Sequence, residues 1–140
     1  IVRGWVDDEG KIDTALTNDS GKIQKAVTNY RMLRRSEINL SNGKFLTSRY
    51  SLVEVRPESG RMHQIRKHFA HLRHPIIGDR PHGCNKQNKL FKDQYSMMTM
   101  LLHAKEISFK HPTNESQVTI KAPIKDDFER MAVVLSLDSD

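Results

Sequence analysis

The sequence predicts an α+β domain with a mainly antiparallel sheet and helices packed beside it, and three observations carry that prediction. Runs of β-branched and alternating residues come in pairs joined by short turn-forming segments, which marks hairpins rather than parallel crossovers. An apolar stripe at helical spacing, Met62, Ile65, Phe69 and Leu72, follows the first pair, and another, Phe128, Met131 and Leu135, closes the chain. At 140 residues the chain is sized for one domain with one modest core and no separate second domain.

In chain order, Ile1–Val6 is a short strand candidate, and the polar stretch Asp7 to Lys25, with Gly10, Asn18, Asp19, Ser20 and Gly21 as turn formers, reads as an exposed loop. Ala26–Arg35 and Ser48–Arg56 read as two antiparallel strands around a turn at Ser41-Asn42-Gly43-Lys44. Alternation in the second puts Tyr50, Leu52, Glu54 and Arg56 on one face and Ser51, Val53 and Val55 on the other. Pro57-Glu58-Ser59-Gly60 is a turn into an amphipathic helix, which places Met62, Ile65, Phe69 and Leu72 in the core and His63, Lys67, Ala70 and His74 opposite. His74-Pro75 ends that helix; Gly78–Asn85 is loop, Gln87–Tyr95 a short helix, and Leu101–Phe109 with Gln117–Ile120 a hairpin. Lys125–Leu135 is the closing helix.

Composition narrows the function classes. Twenty-three Lys and Arg against 17 Asp and Glu give a net charge of +6, which favours phosphate-bearing partners, nucleic acid first among them. Cys84 is the single cysteine, so neither an intrachain disulfide nor a cysteine-rich zinc site is available, and the chain reads as cytoplasmic. No apolar run approaches the roughly 18 residues of a membrane span, so no membrane partner is expected. The first residue is Ile1 rather than Met and already resembles the middle of a strand, the expectation for a piece of a longer protein.

The densest chemistry lies in Ser59-Gly60-Arg61-Met62-His63-Gln64-Ile65-Arg66-Lys67-His68, followed by His74-Pro75-Ile76-Ile77-Gly78-Asp79. Arg61, His63, Arg66 and Lys67 crowd one short helix start, a density that suits an anionic partner or an active-site carboxylate. Arg66 and Arg73, seven residues apart, lie on the border of the apolar stripe, where a guanidinium can reach a half-buried carboxylate. Taken alone, Arg66 reads first as a surface ion pair, and Lys67, His68 and Arg73 read as a solvated helix face as readily as phosphate contacts.

Three separated blocks, Gly60–His68, His74–Asp79, and Leu101-Leu102-His103-Ala104 with His111-Pro112, resemble in order and spacing the RluA-type pseudouridine synthases, which isomerise uridines in RNA. Val2-Arg3-Gly4-Trp5, Ala26–Tyr30 and His71–Asp79 are most similar to the branch that acts on tRNA. The resemblance covers nearly the whole chain and is loosest over Asp7–Lys25. It implies a cofactor-free, metal-free isomerase whose RNA partner is tRNA, with rRNA as the alternative substrate. The family's catalytic aspartate, in a His-Arg-Leu-Asp motif, and a tyrosine expected just before Ile1 are both missing, so residues 1–140 match the C-terminal portion of one catalytic domain. The fragment is then expected to be inactive alone and to associate with the missing N-terminal half or with itself. Arg66 matches the arginine that pairs with the catalytic aspartate, a charge-assisted fork that keeps a carboxylate ionised and oriented. Arg61, His63, Gln64, Lys67 and Arg73 are the expected RNA-binding residues, and Leu102 matches an apolar residue beside the pocket.

Two other classes fit part of the pattern. A basic, non-catalytic RNA-binding module would need no aspartate. A zinc hydrolase could draw on His63, His68, His71 and His74 with Asp79 or Cys84, but three of these histidines drift over roughly 240° of helix surface, a poor geometry for one metal.

Overall fold

A computed structural model describes residues 1–138. The elements in order are β1 (Val2–Arg3), β2 (Glu9–Ile12), β3 (Leu16–Thr17), β4 (Ile23–Gln24), β5 (Thr28–Ile38), β6 (Ser48–Pro57), α1 (Gln64–His71), α2 (Asn85–Tyr95), β7 (Glu106–Lys110), β8 (Gln117–Lys121) and α3 (Asp126–Val134). The α+β class and the antiparallel pairing follow the sequence reading.

The longest pair, β5 and β6, runs from Thr28 opposite Pro57 to Ile38 opposite Ser48, with a bulge between Met32 and Arg34. β2 extends the sheet beyond β5 and β1 beyond β6, both antiparallel, in the order β1-β6-β5-β2. Alternation along β6 sends Tyr50 and Leu52 into one core and Val53 and Val55 into a second. The first contains Phe91 of α2 and Met131 of α3; the second contains Phe69 of α1, whose ring meets Tyr30 edge to face at 5.5 Å. Helices therefore cover both faces of the sheet, and full burial of Phe69 contributes on the order of 2–3 kcal/mol to holding α1 there.

Four expectations are corrected. Asp7–Lys25 is not a loop: it carries β2 and the β3–β4 hairpin. Its buried residues, Ile12 and Leu16, are too sparse among polar neighbours to show a period, and Asn18 Oδ1 closes the turn by accepting from the Ser20 and Lys22 amides. Met62 lies outside the core, because α1 begins only at Gln64 and helical spacing does not extend back to it; it is 46% exposed. His68, read as solvated, is fully buried. The strand expected from Leu101 starts at Glu106; the Leu101 amide instead donates to the Ile77 carbonyl at 2.8 Å.

The end of α1 explains how the chain turns toward the following loop. Arg73 adopts a left-handed φ of 64°, its amide donates to the Ala70 carbonyl and the His74 amide reaches back to Phe69, a Schellman closure built on arginine instead of glycine. β7 and β8 form a separate hairpin with Ile107 and Ile120 opposed and both more than half exposed. No helix among the described residues is long and apolar enough to cross a membrane.

Candidate active site

The site is built on α1 and the loop after it. Gln64, the first helical residue, is buried and uses its whole amide: Oε1 accepts from Ser59 Oγ at 2.7 Å and the Arg61 amide at 3.1 Å, and Nε2 donates to the Val27 carbonyl and Thr28 Oγ1. One turn later, His68 places Nδ1 2.7 Å from Thr28 Oγ1 and Nε2 2.8 Å from the Thr14 carbonyl. A carbonyl only accepts, so Nε2 carries the proton and Nδ1 accepts from the Thr28 hydroxyl. The chain Ser59–Gln64–Thr28–His68–Thr14 is thus directional and satisfied, and it pins α1 to β5 and to the residues leading into β3.

The side of α1 beyond this network carries Arg66. Its Nε donates to Asp79 Oδ2 at 3.0 Å and its Nη2 to Asp79 Oδ1 at 2.9 Å, a bidentate fork with the carboxylate 1% exposed and the guanidinium side chain 17%. Burial opposes ionisation of Asp79, but the Arg66 fork and the His82 amide outweigh it and hold the carboxyl below its usual range. The same hydrogen bonding raises the Arg66 pKa, so the guanidinium stays charged. Only two of its five N–H donors are engaged among the described residues, so the Nη1 edge is available to a second acceptor.

The loop under Asp79 is rigidly held. Asn88 of α2 accepts from the Gly78 amide and donates to the Asp79 carbonyl, both at 2.8 Å. Gly78 sits at φ +88°, and a Cβ there would lie 2.1 Å from the Thr99 carbonyl oxygen, so only glycine fits. From this loop His82 returns to α1, its Nε2 3.1 Å from Nδ1 of His63. His63 takes a left-handed φ of 52° just before the helix.

The structure brings Arg66, His63 and Lys67 together with Asp79 and His82. Arg61 is exposed beside them, its Nε bonded to the Lys25 carbonyl at 3.0 Å, and a narrow notch brings Arg61, Met62 and Lys67 against the β3–β4 hairpin. Gln64 departs from its expected place among RNA-facing groups, since every polar hydrogen and lone-pair site it offers is turned inward. Arg73 is exposed but lies past the far end of α1, whose eight residues rise about 12 Å. Leu102 is 36% exposed, outside both cores, while its neighbour Leu101 is buried. A shallow surface concavity lined by Asn29, Tyr30, Arg31, Glu54 and Arg56 includes none of the site residues. The histidines considered as metal ligands are dispersed, His68 to Thr14, His74 to the Arg3 carbonyl and His63 to His82, and among the described residues no three His, Cys, Asp or Glu side chains converge on one point.

Sequence reasoning missed the Arg66–Asp79 fork, the His63–His82 pair and the anchoring by Asn88. The signal for the first was present: Gly78-Asp79 follows a helix whose border arginine needs a carboxylate, and the Schellman turn brings that loop back along α1.

A family model described as RNA pseudouridylate synthase matches residues 1–71, half of the chain, from β1 through α1. The chain is 44% identical to the tRNA pseudouridine synthase C of Vibrio parahaemolyticus, over 94% of this chain and 58% of that protein. It is 44% identical to its namesake in Vibrio vulnificus, over 89% and 55%, and 37% identical to that of Haemophilus ducreyi, over 94% and 58%. The chain thus spans somewhat more than half the length of these relatives. The solved structure of human RNA pseudouridylate synthase domain containing 1 superposes with a TM-score of 0.62 at 19% identity, covering 99% of this chain and 64% of that one, which shows the shared fold. With half its length matched by the family model and its architecture matched throughout, the chain belongs to the RNA pseudouridylate synthase family.

Proposed function

We propose that this chain supplies the arginine-bearing part of a pseudouridine synthase that isomerises a uridine of tRNA. The observation that carries the reading is Arg66: a permanently charged guanidinium, locked by a buried carboxylate along one edge and open along the other. The reaction breaks the bond between C1′ of the ribose and N1 of uracil, turns the base, joins C1′ to C5, releases the C5 hydrogen to water as a proton and returns one proton from water to N1. No electrons are lost or gained and no cofactor is called for. The acting carboxylate comes, on the family resemblance, from residues preceding Ile1 in the full protein. Arg66 orients that carboxylate through Nη1 and keeps it ionised, while Asp79 keeps Arg66 from swinging toward a phosphate.

The exposed Arg61 and the half-buried Lys67, with His63, hold RNA phosphates beside the notch, and Arg73 meets the backbone further along. Leu102 offers an apolar edge to the uracil face. A target uridine must leave its stack to reach Arg66, and a cationic rim with phosphates already engaged lowers the cost of that extrusion. The cytoplasm, where tRNA resides, is the compartment this reading implies.

Release of tritium from tRNA labelled at uridine C5 tests the proposal, comparing this 140-residue chain with the full protein that includes its upstream residues. Release by the full protein alone is expected. Release by the short chain places the catalytic carboxylate within it, and release from labelled rRNA but not tRNA makes rRNA the substrate. Binding by the full protein without release from either RNA leaves a binding module.

A further inference from the structure

The His63–His82 pair is a cluster of titratable side chains that the proposed chemistry uses only in part, since His63 is placed on RNA phosphate and His82 is given no task. The two rings meet edge to face at 5.2 Å between centroids, with one ring nitrogen of each 3.1 Å apart. That distance requires one proton between the two nitrogens, leaving His63 Nε2 and His82 Nδ1 as outward groups. The arrangement is held from both sides. The His82 amide donates to Asp79 Oδ1, and His63 keeps a left-handed backbone that costs on the order of 1 kcal/mol, so the backbone is fixed on both sides of the contact while the His63 ring is exposed.

The charged groups acting on His82 are Asp79 on its own loop and Arg66 and Lys67 on α1. Asp79 is already neutralised by the Arg66 fork, which leaves the Lys67 ammonium as a net positive charge beside the His82 ring. Burial, with Arg66, His63 and Lys67 adding to it, lowers the His82 pKa below its ordinary 6.5 against the opposing pull of Asp79. An added proton on His82 is therefore disfavoured in the free protein and becomes favourable once a phosphate brings a negative charge to the same spot.

We propose that His63 and His82 act as one proton-coupled phosphate contact, in which binding of an RNA phosphodiester is accompanied by uptake of one proton by the pair. The inference rests on the RNA-binding reading above and deepens it: the phosphate nearest His63 is held by a charge that exists only in the complex. On release of the RNA the proton returns to solvent, so contact and discharge are linked without any covalent step.

The test is tRNA affinity of the full protein between about pH 8 and about pH 6 at fixed ionic strength, for the wild type, His63→Gln, His82→Gln and the double variant. Glutamine keeps a hydrogen-bonding group and cannot take the proton. The wild type is expected to gain affinity over the variants as pH falls, by up to about tenfold per pH unit, the limit for one linked proton. Each single variant flattens the profile as much as the double, because the pair acts as a unit. Parallel profiles for all four proteins, with binding retained, overturn the coupling while leaving the RNA reading intact. Failure of the wild type to bind tRNA at any pH overturns the RNA reading and the coupling with it.

Discussion

Asp79 and its partners make stability depend on pH in a way that can be worked out by sign. The Asp79 pKa is lower in the folded protein than its ordinary 3.8, so its ionised form stabilises the fold above that value, and the contribution is lost as pH falls through the lower folded pKa. The His82 pKa is also depressed; the unfolded chain takes that proton first, so stability begins to drop already as pH falls below about 6.5. Thermal melting against pH is expected to show both phases, and His82→Gln should remove the upper one while leaving the lower. Replacing Arg66 with Ala strands a buried carboxylate and is expected to cost on the order of 3 kcal/mol in urea unfolding, whereas Asp79→Asn with Arg66→Gln recovers most of it. Full loss in the paired variant as well would show that the fork is not what the two residues contribute.

Two turns give opposite expectations at the level of the element. Gly78 cannot carry a side chain, because its φ of +88° and the Thr99 carbonyl exclude one, so Gly78→Ala should destabilise by more than about 2 kcal/mol and displace the Asp79 loop. Arg73 occupies the left-handed residue of the α1 Schellman turn at a cost, and Arg73→Gly should raise stability by about 1 kcal/mol; a drop in melting temperature would contradict this account of the turn. The same two elements show what a sequence makes legible. β5, β6, α1, α2, α3 and the β7–β8 hairpin could be read because their periodicity or turn residues are local. The β3–β4 hairpin could not, because only Leu16 of its four residues is buried and its pairing rests on the Asn18 turn and on His68 reaching the Thr14 carbonyl. Arg66 was singled out from its border position, but its Asp79 partner, Gln64's inward turn and the His63–His82 contact come from tertiary placement that no spacing along one helix encodes.

Across the whole molecule, the net charge of +6 and the cationic end of α1 point to binding that weakens with salt. If three to four phosphates are engaged, the affinity of the full protein for tRNA should fall with a log–log slope of roughly −2 to −4 against salt concentration; a flat response would remove phosphate contact from the account. The β7–β8 hairpin adds a second requirement, since Ile107 and Ile120, with Phe109 beside them, leave an apolar face that favours a cover. The central claim is that Arg66 supports the reacting carboxylate and does not dock the RNA. Single-turnover tritium release and tRNA affinity, measured side by side for the full protein and its Arg66→Lys variant, test it most directly. Lysine keeps the charge but can neither form the fork nor offer the open guanidinium edge. The account predicts a loss of at least about a hundredfold in the rate of the bound complex with affinity changed less than about threefold. An affinity loss matching the rate loss, or an unchanged rate, would contradict it.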